Sequence, residues 1–112
     1  MSVLNRISFE EIKKTAELVW LDQKEAEQIA MEAFEIITKK SNNYVFFNGR
    51  ASKCILGGLF YLLGLNHGIS RTQKEIAVQL GTNDVTIRVS YRRWLKLLPE
   101  FVLKRNQRRP HS

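Results

Sequence analysis

Six residues near the carboxy-terminal end, Val85, Arg88, Val89, Arg92, Arg93 and Lys96, recur at intervals of one, three and four and so gather on one side of a helix. Four cations with two small apolar side chains is the mixture that reading duplex DNA requires. Arginine bonds guanine O6 and N7 in bidentate fashion, valine packs on a thymine methyl, and Lys and Arg neutralise phosphates. Val85 and Arg88 stand near the amino end of the segment, where a recognition helix meets base edges, and are the base-reading candidates. Thr86, Arg92, Arg93 and Lys96 are candidates for the DNA backbone. Arg71, Gln73 and Lys74, around the start of the preceding segment, can add phosphate contacts through side chains and free amides. The same residues also fit an ordinary helical hairpin with a solvated basic face, and spacing alone does not separate the two readings.

The elements that must position these residues follow from periodicity and capping. Ser8 to Glu11 has the pattern of a capping box, and Phe9, Ile12, Ala16, Val19 and Trp20 continue from it as one apolar stripe to about Leu21. Asp22 and Glu25 repeat the start signal for a second amphipathic helix through Ala26, Ile29, Ala30, Ala33 and Ile37, ending near Lys39 and Lys40, where cations complement the helix dipole. Ser41 to Gly49 reads as a connection. Ala51 to Gly64 is apolar on nearly every side, as a central helix surrounded by others would be. Gly57 and Gly58 lie inside it, each at a cost of roughly 1 kcal/mol relative to Ala, which points to a neighbouring helix approaching closely. Leu65 to Ser70 reads as a turn holding a solvated His67. Thr72 to Glu75 is a further capping box, opening a short helix through Leu80 that Gly81 is placed to end. Thr82 and Asn83 then lead into the last helix, which buries Ile87, Tyr91, Trp94, Leu95 and Leu98 and stops at Pro99. Two helices joined by so short a Gly-containing turn form a helix-turn-helix over 72–98. No segment alternates with period two, so the expectation is an all-α domain of five helices.

Charge is segregated along the chain. The net charge is +7 over 112 residues, yet residues 1–35 hold eight acids and four bases, and the remainder holds fourteen bases and three acids. A lobe so rich in Lys and Arg suits a polyanion, and the acidic early helices are expected on the far side of the domain. Cys54 is the only cysteine; with His67 and His111 it leaves too few ligands for a structural zinc site and no internal disulfide. In an apolar helix it reads as a core residue. Glu10 with Glu11, and Glu25 with Glu27, fall on exposed sides of early helices and imply no catalytic cleft. No phosphate loop, dinucleotide fingerprint or membrane-length apolar run is present, so neither enzymatic activity, a cofactor, a small-molecule substrate nor a membrane partner is expected. Residues 1–7 read as an amino-terminal arm, 8–101 as the domain, and 102–112 as a basic tail with Lys104, Arg105, Arg108 and Arg109.

Ser70 to Tyr91, with T-Q-K-E-I and D-V-T-I-R-V-S-Y as its cores, closely resembles the helix-turn-helix of the second cyclin-like repeat in transcription initiation factor IIB and archaeal transcription factor B. The likeness reaches Gly49-Arg50 and Leu59-Phe60-Tyr61 upstream and Pro99-Glu100-Phe101 downstream, covering roughly Phe9 to Phe101. It implies a five-helix cyclin-like fold and binding of a B recognition element beside the TATA box, with base contacts from Val85 and Arg88. It further implies double-stranded promoter DNA, the TATA-binding protein and the RNA polymerase machinery as partners. The location would be cytoplasmic and nucleoid-associated in an archaeon, nuclear in a eukaryote. The chain departs from the family in opening its central helix with Ala51-Ser52-Lys53-Cys54 instead of a Pro followed by alanines. The family's zinc ribbon, linker and first repeat have no counterpart in this sequence, so an excised carboxy-terminal domain or a naturally short relative is expected.

Three other readings stand beside this one. A cyclin box can serve as a protein-interaction adaptor, and a short relative can act as a regulator competing with the full-length initiation factor. A dimeric helix-turn-helix repressor would need a dimerisation element that the sequence does not show.

Overall fold

Side-chain caps decide where the helices begin. The computed structural model describes residues 7–40 and 52–98. Among these it holds five helices and no strand: α1 (Phe9–Val19), α2 (Gln23–Lys39), α3 (Ser52–His67), α4 (Gln73–Leu80) and α5 (Asp84–Leu97). Asp22 accepts the amides of Lys24 and Glu25 at 2.8 and 3.1 Å, and Thr72 and Glu75 form the full reciprocal box. The box expected at Ser8 is half made. Ser8 Oγ accepts the Glu11 amide at 3.1 Å, but the Glu11 carboxylate turns away and accepts the Ser52 hydroxyl at 2.6 Å, tying α1 to the first residue of α3. A local pattern cannot reveal a bond spanning 41 residues.

Helix α3 is the hub, in contact with each of the other four. Its apolar character on nearly all sides is matched by its burial: Ile55, Leu56, Leu59, Phe60, Leu62 and Leu63 are sealed from solvent. Helices α1 and α2 pack on each other and on α3, α4 packs on α1, α3 and α5, and α5 lies along α3. Two tryptophans are wholly buried, and each satisfies its indole N–H on a backbone carbonyl, as burial of a donor demands. Trp20 donates to Ile69 at 2.8 Å and sets its edge against Phe60, while Trp94 donates to Ile55 at 2.9 Å.

Several expectations need correcting. Helix α1 stops at Val19 with Trp20 as its cap, so Leu21 lies beyond it and is 89% exposed. Helix α3 continues past Leu65 to His67, which is neither in a turn nor freely solvated. Its ring bonds Glu32 on one side and Gln28 on the other at 3.1 Å, joining α2 to the end of α3. Cys54 is half-buried instead of deep in the core, and Glu11 and Glu25 are half-buried as well. The expected connection over Ser41 to Gly49, Arg50, Ala51, Pro99 to Phe101, the arm to Arg6 and the basic tail lie outside the described residues.

The glycines of α3 do what their placement suggested. A β-carbon on Gly58 would overlap the Ser90 hydroxyl and the backbone nitrogen of Tyr91, whereas one on Gly57 would meet mainly the mobile tip of Ile87. Gly58→Ala is therefore expected to destabilise by about 1–3 kcal/mol, since rigid backbone must move. Gly57→Ala should cost less. Urea unfolding of the two variants side by side checks the order.

Candidate nucleic-acid interface

The helix-turn-helix is made by one glycine and two caps. Gly81 adopts φ 73°, ψ 34°, a left-handed conformation that residues with a β-carbon adopt only under strain, and the Thr82 amide reaches back to the Ala77 carbonyl at 2.9 Å. Asn83 then caps α5, accepting both the amide of Thr86 at 2.9 Å and its hydroxyl at 3.1 Å. The turn of Gly81, Thr82 and Asn83 is the one expected from the sequence.

Which side of α5 faces outward is decided by its buried side. Ile87, Ser90, Tyr91, Trp94 and Leu98 are buried and Leu95 half-buried. Ser90, the one polar residue on that side, donates to the Ile55 carbonyl at 3.4 Å, the same carbonyl that takes Trp94. The opposite side carries Val85, Val89, Arg92, Arg93 and Lys96 exposed and Arg88 half-buried. Val85 is 51% and Val89 42% exposed, which puts two apolar side chains one helical turn apart on the outward side. Among the described residues no carboxylate lies within ion-pair distance of Arg88, Arg92, Arg93 or Lys96. Among the described residues nothing neutralises their charge, which gives the face a positive potential.

The upstream candidates are placed differently. Lys74 is exposed and Gln73 half-buried in the first turn of α4, but that turn's Glu75 amide is taken by Thr72, and the Glu75 carboxylate sits at the helix start. Arg71 is half-buried and engaged inside the domain. It lies over the Trp20 ring at 5.8 Å, donates to the Ser70 carbonyl at 3.1 Å and stands 4.0 Å from Glu25. The acidic start of α2 is thus not on the far side of the domain; it adjoins the segment that enters α4. The Thr86 hydroxyl is likewise occupied, by Asn83.

Two features of this region went unread in the sequence. Asn83 as the cap was detectable, because Asn is a favoured N-cap residue and stands directly before the last periodic segment. Val78, 65% exposed on α4, adds a further apolar side chain outside the core, and nothing in the spacing of an eight-residue helix marks it. An open cleft near the α1–α2 corner is lined by Leu18, Leu21, Asp22, Glu25, Arg71 and Glu75. Its charged groups are already committed, Asp22 and Glu75 to caps and Glu25 to Arg71. Among the described residues no group of three or more His, Cys, Asp or Glu gathers as a metal site, and no helix is long and apolar enough to cross a membrane.

The fold and this face together define an all-α domain ending in a helix-turn-helix with a basic outer side. Residues 5–97 match the family model for the transcription factor TFIIB repeat, and the chain belongs to that family. Its all-α, cyclin-like architecture is the fold of that repeat. A transcription initiation factor IIB from Aeropyrum pernix is 41% identical over 66 residues; the match covers 59% of this chain and 20% of that protein, so the chain corresponds to a fraction of its relative's length. No solved structure matches the chain.

The placement of Arg71 has a measurable consequence. Removing its guanidinium from Trp20 in Arg71→Ala should lower stability by about 0.5–1 kcal/mol with no DNA present. An unchanged urea midpoint would show that these contacts contribute nothing to the fold.

Proposed function

We propose that this domain binds promoter DNA during transcription initiation, with α5 in the major groove, and that it acts without covalent chemistry. The observation that carries the reading is the outer side of α5: exposed valines and cations that have no carboxylate partner among the described residues, on the second helix of a helix-turn-helix, in a TFIIB-repeat chain. Val85 and Arg88, in the first turn and a half of α5, read base edges. Arg92, Arg93 and Lys96 follow the phosphates, with Lys74 and Gln73 flanking them from α4. The sequence read is a B recognition element beside a TATA box, and the TATA-binding protein and polymerase machinery are the protein partners. The name of the Aeropyrum pernix relative supports the initiation role. An intracellular location follows from that role.

The test is fluorescence anisotropy of a labelled duplex carrying a B recognition element and a TATA box, against a scrambled duplex, at two salt concentrations, with and without TATA-binding protein. Preferential, salt-sensitive binding is expected. Arg88→Ala should cost about 1–3 kcal/mol and relax base preference. Arg93→Ala should weaken all sequences alike and lower the salt slope by about 1. Equal binding to both duplexes with and without the TATA-binding protein, or no effect of Arg88→Ala, would overturn the reading.

A further inference from the structure

Lys53, the second residue of α3, lies one turn before Gly57 on the same face of that helix. That face is wedged between α4 and α5: a β-carbon at Gly57 would stand 2.5 Å from Ile87 Cδ1, 3.5 Å from Leu80 Cδ1 and 3.9 Å from Ile76 Cγ2. One turn further out, the wedge opens onto the turn between α4 and α5. There the Lys53 Nζ lies 4.0 Å from where a β-carbon of residue 81 would stand, nearer than any other described residue beyond Leu80 and Thr82.

We propose that Lys53 holds a DNA phosphate beside the turn that launches α5, so that α3 supplies a third element of the interface. The inference rests on the DNA-binding reading above. Three observations support it. Lys53 is exposed, and among the described residues no carboxylate lies within ion-pair distance of it. It stands in the first turn of a helix that carries no acid of its own there, where the helix dipole disfavours a cation, and the Glu11 carboxylate that reaches this end from α1 takes the Ser52 hydroxyl and not Lys53. Gly81 is exposed and has no side chain, so among the described residues nothing from the α4–α5 turn fills the space beside the ammonium. A lysine gripping phosphate as a point charge carries no base information, so its contribution falls equally on every sequence.

The experiment measures anisotropy of a labelled mixed-sequence duplex with the whole chain, comparing the unsubstituted protein with Lys53→Ala, Lys53→Arg, Arg93→Ala and Lys24→Ala across a salt series. One phosphate contact corresponds to about 0.9 in the salt slope, or about three- to fourfold in affinity between about 50 and 200 mM salt. Lys53→Ala is expected to lose that much slope, Lys53→Arg to keep it, and Lys24→Ala, which removes the same charge from the start of α2, to change it little. The thermal midpoint of Lys53→Ala should stay level or rise. If Arg93→Ala lowers the slope and Lys53→Ala does not, the Lys53 contact is refuted while the DNA-binding reading stands. A slope lowered equally by Lys24→Ala refutes it as an effect of bulk charge. No binding by the unsubstituted protein at low salt overturns both.

Discussion

Helix α5 can lie against α3 only because residue 58 has no side chain to hold it off. At that contact the backbone of Tyr91 and the hydroxyl of Ser90 occupy the volume a β-carbon would need. Close approach brings a single carbonyl, that of Ile55, within reach of both Ser90 and Trp94. Those two donors stand four residues apart on α5, so anchoring both sets the rotation of the helix about its axis as well as its distance. Everything proposed for the outer side depends on this: a turn of 100°, one residue's worth, would carry Arg88 and Val85 away from their common direction.

The caps impose a second condition. Each helix of the helix-turn-helix begins with amides that a neighbouring side chain already occupies, Thr72 for α4 and Asn83 for α5. Helix starts of this kind have fewer free donors to offer a phosphate, and the Glu75 carboxylate adds negative charge at the start of α4. In the proposed complex the cationic side chains of α5, and Lys53 on α3, would then carry more of the attraction than the helix starts. The charge segregation along the chain is less strict in space than in sequence, since Arg71 belongs to the basic portion yet faces Glu25.

Capping and periodicity made much of this legible. The bounds of α2, α4 and α5, the turn at Gly81, and the division of α5 into a buried and an outward side follow from patterns within a few residues of one another. What escaped was long-range. Glu11 had two possible uses, and only the proximity of Ser52 decides which it takes. His67 looked like a turn residue because Asn66 and Gly68 flank it, but partners on α2 keep it helical. Arg71 was indistinguishable from the other cations until Trp20 and Glu25 came within reach of it. Lys53 carried no signal at all, because its nearness to the turn depends on how α3 is wedged between α4 and α5.

The anchoring of α5 from its buried side has a consequence for how such a domain can diversify. Ile87, Ser90, Tyr91 and Trp94 maintain the scaffold, while positions 85, 88, 89, 92, 93 and 96 contribute little to it. The two sets of positions interleave, one or two residues at a time, along one fourteen-residue helix. The outward letters can therefore be rewritten, by drift or by design, with the buried ones left as they are.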